Sequence, residues 1–278
     1  MTKKKAIRTP RLRDADLTMA MSEHSYKKQL PRLQRRLSLI QQAFLFSGQS
    51  AVVVFEGWDA AGKGSAIRRI SAAMDPRSFK VWPIGPPRNY YVQRHFLLRF
   101  MERLPPKGAI TVFDRSWYGR VLVERIEELT PEDSWKIAYE EINHFEEMIS
   151  NTGCRLVKFF LHISQEEQLA RFEERLRNPM KRWKLSYEDF RNREHWDSYS
   201  DAIDEMFART STKRNPWHLI PANDKKFARI AAMKTIVSSL ERGTEMSPPA
   251  LDELTLTQAR AHLHSVDSLI DSLAGRTE

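Results

Sequence analysis

The pattern of apolar and polar residues predicts five short strands separated by longer amphipathic helices. Apolar runs too short for helices and rich in β-branched residues are typical of buried strands in a parallel sheet. Such runs occupy residues 51–55, 110–113 and 155–163, and shorter ones lie within residues 79–87 and 217–224. Because strands and helices alternate along the chain, the pattern predicts an α/β fold.

Between the strands, apolar residues recur every three or four positions, which is the spacing of one face of a helix. In the first such stretch, residues 24–46, lysines and arginines occupy the opposite side, and we expect this helix to pack on the sheet. Further helices are predicted at residues 91–104, 131–149, 187–209, 225–240 and 257–273. The chain then divides into a flexible basic tail (1–22), a globular domain (23–243), and a linker with a C-terminal amphipathic helix (244–278).

The first predicted strand leads directly into a glycine-bracketed loop with the sequence GWDAAGKGS. Gly57, Gly62 and Lys63 have the G-x-x-x-x-G-K spacing of a phosphate-binding loop, whose backbone N–H groups surround an anion at a helix N-terminus. The spacing alone arises by chance in roughly one chain in ten. The flanking strand and helix make it specific. The residues expected to bind phosphate here are Gly57, Ala60, Ala61, Gly62, Lys63, Gly64 and Ser65.

The loop departs from the usual pattern at the residue after the lysine. Most such loops have Ser or Thr there to hold Mg²⁺, whereas this chain has Gly64. A carboxylate inside the loop, Asp59, is the candidate replacement. The strand at residues 110–113 delivers a second carboxylate, Asp114, at its carboxyl end, where an open parallel sheet forms its ligand crevice. The alternative is that Asp114 only caps a helix.

Basic residues surround this predicted site. Arg115 and Arg120 flank the strand end, and guanidinium groups bind phosphate oxygens bidentately. The aromatic residues between them, Trp117 and Tyr118, either stack on a base or pack in the core. Two predicted helices joined by a basic loop at about residues 165–210 have the layout of a lid that closes over a donor. The lid residues expected to bind phosphate are Arg171, Arg175, Lys181, Arg182, Lys184 and Arg193.

A solvated helical hairpin is the alternative interpretation of this lid segment, because runs of charge commonly form solvated surfaces. Composition adds a constraint, since the 278 residues carry a net charge of +9, which favours a polyanionic substrate or partner. Nucleic acid, acidic lipid and inorganic polyphosphate all have this chemistry. No apolar run is long enough to cross a bilayer and no secretory signal is apparent, so we expect a cytoplasmic protein without membrane contact. The single cysteine, Cys154, excludes an internal disulfide.

The motifs EGWDAAGKGSAIRRI, VWPIGPP, VFDRSWYGRVLVER, NREHWDSY and ANDKKFARI together resemble the polyphosphate kinase 2 family over residues 25–242. The resemblance implies a three-layer α/β/α phosphate-loop kinase fold with a mainly parallel sheet and a helical lid. It also implies reversible phosphoryl transfer between inorganic polyphosphate and a nucleotide, dependent on Mg²⁺ with Mn²⁺ as a substitute. The metal-binding carboxylates would be Asp59 and Asp114, and the catalytic cations would be Lys63, Arg115 and Arg175.

Several points stay open in the sequence. The motifs are closest to the polyphosphate:AMP phosphotransferase branch, but residues 88–99 depart from the charged stretch expected there. The acceptor is therefore AMP, ADP or both, with GMP and GDP as further candidates. The terminal amphipathic helices and the resemblance predict a homodimer or homotetramer. The rival functions are a conventional ATP-dependent kinase and a basic nucleic-acid-binding protein with a regulatory nucleotide site, although no recognised nucleic-acid motif is present.

Overall fold

Five strands form a single sheet in the computed structural model, which describes residues 9–263. The strands are β1 (Ala51–Gly57), β2 (Phe79–Pro83), β3 (Ile110–Asp114), β4 (Arg155–His162) and β5 (Trp217–Pro221). Their order across the sheet is β2-β3-β1-β4-β5, and every pairing is parallel. The predicted five-stranded parallel sheet is therefore confirmed, and all carboxyl ends of the strands lie at one edge.

Helices precede the sheet, connect its strands and follow it. They are α1 (Glu23–Ser47), α2 (Lys63–Ser71), α3 (Asn89–Val92), α4 (Leu98–Met101), α5 (Val123–Ile126), α6 (Glu132–Asn151), α7 (Gln165–Arg177), α8 (Tyr187–Glu194), α9 (Trp196–Thr210), α10 (Lys225–Glu241) and α11 (Glu253–His262). Within the described residues, no helix has the length and hydropathy needed to cross a membrane. Residues 9–244 form one compact unit, and residues 245–263 belong to a second.

The sheet lies between two groups of helices. Helices α1, α2 and α10 contact one another, while α5 and α9 both contact α6. Six consecutive residues of β1 are buried, as are six of β4, which requires cover on both faces of the sheet. The result is the three-layer α/β/α arrangement that the family resemblance implies.

The helix predicted at residues 91–104 is wrong in its extent, because the chain forms α3 and α4 with a non-helical segment between them. The side chain of His95 accepts a hydrogen bond from the Leu97 amide at 3.4 Å and lies 3.1 Å from Glu141 on α6. Such local side-chain bonds compete with helical ones. Leu97 and Phe100 are then buried, so tertiary packing overrides the periodicity here.

The helix predicted at residues 187–209 is also interrupted, at His195 between α8 and α9. The break turns Trp196 onto the ring of Trp58, with the ring centroids 3.6 Å apart and nearly parallel. In the segment assigned to the basic tail, Leu12 is buried and its amide donates to Asp204 on α9 at 2.8 Å. The last predicted helix begins earlier, as α11, and its apolar positions Val266, Ile270 and Leu273 lie outside the described residues.

A buried ion pair joins the sheet to the helices on one face. Lys158 on β4 and Glu146 on α6 are almost fully buried, with Nζ and Oε2 2.7 Å apart. Lys158 also donates to the Thr210 carbonyl at the end of α9, and Tyr118 and Trp117 both donate to Glu146 Oε1. Burial lowers the pKa of Lys158, although Glu146 opposes the shift. The pair therefore depends on this dense set of hydrogen bonds.

Replacing one member of this pair should destabilise the fold strongly. Lys158→Met leaves the Glu146 carboxylate buried without its cation, which typically costs about 3–5 kcal/mol. We expect the double variant Glu146→Leu/Lys158→Met to recover much of this loss, because it leaves no unpaired buried charge. Urea unfolding at neutral pH measures both. If Lys158→Met lowers the free energy of unfolding by less than about 1 kcal/mol, the pair is not important for stability.

Candidate active site

The phosphate loop leaves the carboxyl end of the central strand and enters α2, as its spacing predicts. Gly57 has a φ of +146°, and a Cβ there would lie 2.5 Å from the Leu161 carbonyl oxygen on β4, so only glycine fits. The Lys63 side chain folds back over the loop and donates to the carbonyls of Gly57 (2.5 Å) and Trp58 (3.1 Å). The amine is thereby held inside the loop where an anion would bind.

Asp59 is held from two sides. Its Oδ1 accepts a hydrogen bond from Arg115 Nη2 at 2.8 Å, and its Oδ2 accepts one from Asn192 Nδ2 on α8 at 2.9 Å. Burial alone would raise the pKa of Asp59, but Lys63, Arg115 and the Asn192 hydrogen bond hold it below its ordinary value. The residue is therefore a carboxylate at neutral pH and links the loop to β3 and to the lid segment.

Strand register brings the second carboxylate to the loop. Phe55 on β1 pairs with Asp114 on β3, and Asp114 Oδ2 lies 3.8 Å from where a Cβ on Gly64 would be. Arg115, the next residue, has a left-handed backbone with a φ of +67°, as does Ala60 in the loop with +62°. Left-handed non-glycine residues are uncommon and concentrate at functional sites.

A third carboxylate, Glu56, was missed from the sequence although it immediately precedes the loop. Glu56 is buried and accepts a hydrogen bond from Ser116 Oγ at 2.8 Å. Burial raises its pKa, although Ser116, Lys63 and Arg115 oppose the shift. The only sequence feature that could have identified Glu56 is its position at the end of a buried strand, immediately before the first glycine of the loop.

A charged cavity of about 710 Å³ opens over the loop. It is formed by the phosphate loop with α2, the ends of β2 and β3, the lid segment and α10. The predicted site residues that line it are Asp59, Ala60, Ala61, Gly62, Lys63, Gly64, Ser65, Asp114, Arg115, Arg171, Arg175, Lys181 and Lys184. Residues from five separate parts of the sequence thus meet in one basic cavity.

Some residues predicted to bind phosphate lie outside the charged cavity, and their side chains bond to other protein groups. Arg120 pairs with Glu124 at 3.0 Å, Arg182 donates to the Leu176 carbonyl, and Arg193 donates to the Gln165 carbonyl; none of the three lines the charged cavity. Gly57 lines a different, apolar cavity.

Arg171 lines the charged cavity but is nearly buried, and its guanidinium donates to the carbonyls of Ala60, Ala222 and Asn223. These bonds fix the phosphate loop against β5 and α7. Arg171 therefore supports the loop in this structure, and its remaining capacity to bind phosphate is small.

Other cavity residues were not predicted. Arg68 on α2 and Lys225 and Arg229 on α10 line the same cavity. Arg229 Nε donates to Ser65 Oγ at 2.8 Å, and Glu174 on α7 bridges Lys225 (2.9 Å) and Lys181 (2.5 Å). Lys225 and Arg229 belong to ANDKKFARI, a motif that carried the family resemblance without an assigned role.

A second, mainly apolar cavity of about 90 Å³ adjoins the first. It is lined by Leu122, Val123, Tyr199 and Ile203, together with polar groups that include Asn192. Asp59 and Arg115 line both cavities. Trp117 and Tyr118 are fully buried beneath the site and bond to Glu146, so they pack in the core and do not stack on a ligand.

The side chains that could hold a metal are carboxylates. Among residues 9–263, no group of three or more His, Cys, Asp or Glu side chains is arranged to hold an ion. Mg²⁺ commonly binds one or two carboxylates together with substrate phosphates and water, so the pair Asp59 and Asp114 fits this ion. Gly64 also leaves open the space beside Asp114 that a larger side chain would fill.

The strand order and phosphate loop define a P-loop kinase-like α/β fold, and comparison with known proteins narrows this class. The model of the polyphosphate kinase 2 family matches residues 20–248. The chain belongs to the polyphosphate kinase 2 family.

Individual relatives support the assignment. A polyphosphate:AMP phosphotransferase from Pseudomonas syringae pv. tomato is 46% identical over 227 residues, covering 82% of this chain and 46% of the relative. An AMP/ADP-polyphosphate phosphotransferase from Meiothermus ruber is 38% identical over 218 residues, covering 78% and 81%. The crystal structure of polyphosphate kinase 2 from Arthrobacter aurescens has a TM-score of 0.86 at 29% identity, covering 92% and 94%. The chain spans about half the length of the polyphosphate:AMP phosphotransferases that it matches.

The Asn192 contact predicts a shift in the ionisation of Asp59. A hydrogen bond to the charged form of a carboxyl group lowers its pKa, so Asn192→Ala should raise the pKa of Asp59. Carboxyl-detected NMR titration measures the change. Asn178→Ala is a matched control, because this lid asparagine bonds the Met180 amide and does not contact Asp59. Equal Asp59 pKa values in the two variants would refute the proposed coupling.

Proposed function

We propose that this chain catalyses Mg²⁺-dependent, reversible phosphoryl transfer between inorganic polyphosphate and a nucleoside mono- or diphosphate. The observation that carries the proposal is the meeting of two unlike cavities at Asp59 and Arg115. One is large, and its Lys and Arg side chains outnumber its Asp and Glu side chains by nine to four, which suits an inorganic polyanion. The other is small and mainly apolar, which suits the nucleoside end of an acceptor.

The donor would bind along the charged cavity. Lys63, Arg175, Lys181 and Lys184 bring positive charge from the loop and the lid segment, and Arg68, Lys225 and Arg229 extend it over α2 and α10. ATP could also bind a phosphate loop, but a nucleoside triphosphate gains little from so long a basic surface. Polyphosphate, which carries charge along its whole length, uses all of it.

The acceptor would enter the apolar cavity with its terminal phosphate directed at Asp59 and Arg115. The cavity volume of about 90 Å³ is small for a nucleoside, so α8 and the first turn of α9 would move away from the loop when the acceptor binds. Asn192 and Tyr199, on those two helices, line the cavity and would change position with the acceptor. The acceptor is already an anionic phosphate, and no general base is required.

The catalytic roles follow from charge. Phosphoryl transfer has a loose transition state, so positioning and neutralisation of charge supply most of the rate. Lys63, Arg115 and Arg175 would hold the phosphoryl oxygens, and Asp59 would orient the acceptor. Asp59 and Asp114 would hold Mg²⁺, which when bound neutralises phosphate charge. Both carboxylates keep free lone pairs for a metal, including Asp59, whose two oxygens each accept one hydrogen bond.

Relatives bearing the names polyphosphate:AMP phosphotransferase and AMP/ADP-polyphosphate phosphotransferase support the donor and leave the acceptor between AMP and ADP. The single phosphate loop within residues 9–263 is compatible with either AMP or ADP as the acceptor. Self-association and a cytoplasmic location stay predictions from the sequence.

The direct test of the proposed function is an activity assay that compares different phosphoryl donors and acceptors. Purified protein with Mg²⁺ is incubated with polyphosphate or ATP as donor and with AMP, ADP, GMP or GDP as acceptor, and products are resolved by chromatography. We expect polyphosphate to support phosphorylation of AMP, ADP or both. Product with ATP but none with polyphosphate would instead identify a conventional kinase.

In the same assay, Asp59→Asn and Asp114→Asn should retain the fold and lower kcat by about a hundredfold or more, because each removes a carboxylate expected to hold the metal. Asp197→Asn is the matched control, since Asp197 is exposed on α9 and lines neither cavity. Near-normal turnover in either site variant would reject these assignments.

A further inference from the structure

A second basic cavity lies at the amino ends of the strands, at the opposite edge of the sheet from the phosphate loop. Its volume is about 400 Å³. Arg155 is the first residue of β4, Lys213 and Arg214 precede β5, and Arg242 follows α10. These residues line the cavity, and no Asp or Glu does so within the part of the chain that the structure describes.

Two of the four cations have a structural role. Arg155 Nη1 donates to the carbonyls of Ser239 (3.1 Å) and Leu240 (2.8 Å) at the end of α10, and Arg214 donates to the Ser150 carbonyl near the end of α6. These bonds satisfy carbonyls that have no partner within their helices. Helix capping therefore accounts for Arg155 and Arg214.

Helix capping does not account for Lys213 and Arg242. Lys213 and Arg242 are exposed, and neither has a hydrogen-bond or ion-pair partner among residues 9–263. Burial and the nearby charge of Arg242 lower the pKa of Arg155. The two guanidinium groups therefore repel each other, and no carboxylate among the described residues lines the cavity between them. Such repulsion is relieved when an anion binds between the cations.

We propose that the exposed residues Lys213 and Arg242, together with half-buried Arg155 in the same cavity, bind a phosphate-bearing polyanion. Two sources supply this chemistry: a free oligophosphate, or the distal part of a donor chain whose end lies in the active site. The second source rests on the proposed function. From Arg155 to His162, β4 spans about 23 Å, so only a long donor reaches both edges of the sheet.

The binding test uses inorganic triphosphate and isothermal titration calorimetry. The wild-type protein should show two classes of site, one at the phosphate loop and one at this cavity. In Lys213→Ala/Arg242→Ala, the second class should weaken about tenfold or more, because charge-assisted hydrogen bonds are lost. Arg35→Ala/Lys234→Ala removes the same charge from exposed positions that line neither this cavity nor the active site, and should bind like the wild type.

Kinetics distinguish the two sources. If the cavity holds the distal part of the donor, Lys213→Ala/Arg242→Ala raises KM for long-chain polyphosphate about tenfold and leaves KM for triphosphate unchanged. If it holds a separate anion, neither KM changes and only the second binding class is lost. An enzyme inactive with every donor would contradict the proposed function, while calorimetry would still test the cavity.

Two results would overturn the proposal. One is a calorimetric titration in which Lys213→Ala/Arg242→Ala and the control variant are indistinguishable. The other is unchanged triphosphate binding accompanied by loss of salt-sensitive RNA binding, which would assign the cavity to nucleic acid instead. Thermal unfolding of each variant verifies that the fold is retained.

Discussion

The ion pair between Asp59 and Arg115 joins the two chain segments from which the candidate site is built. Parallel pairing of β1 with β3 sets Phe55 opposite Asp114, so the phosphate loop and Arg115 leave the sheet side by side. Arg115 also donates its backbone N–H to the Phe55 carbonyl at 3.0 Å. The left-handed backbone at Arg115 and at Ala60 turns both segments toward the shared site, and the 2.8 Å contact holds them there.

Beneath this pair, a buried polar network fixes the surrounding chain. Trp117 and Tyr118, which immediately follow Arg115 and Ser116, bond to Glu146, and Glu146 pairs with Lys158 on β4. Lys158 in turn donates to the carbonyl of Thr210, the last residue of α9 and of the lid segment. A polar core of this kind fixes positions more closely than apolar contacts do, because each donor requires its acceptor. The network therefore fixes the chain that follows Arg115 and the end of α9, whereas α8 reaches the site through Asn192.

Local sequence patterns predicted the sheet, the phosphate loop and the carboxylate at the end of β3. The phosphate loop was predicted from glycine spacing beside an apolar strand, and Asp114 from its position at the end of a later buried strand, so short stretches of sequence were sufficient. Contacts between distant segments were not predictable. Asn192 on α8 contacts Asp59 across 133 residues of sequence, and the helix predicted at residues 187–209 breaks at His195, next to the Trp196 ring that stacks on Trp58. Arg171 and Arg120 have the residue type of phosphate ligands, yet neighbouring carbonyls and carboxylates occupy them.

We propose that donor and acceptor bind in separate cavities and exchange the phosphoryl group directly at Asp59 and Arg115. Initial rates measured over a grid of polyphosphate and nucleotide concentrations test this claim, because direct transfer requires both substrates to be bound together. Direct transfer predicts intersecting lines in the double-reciprocal plots. Parallel lines, the pattern of a covalent phosphoenzyme, would contradict it.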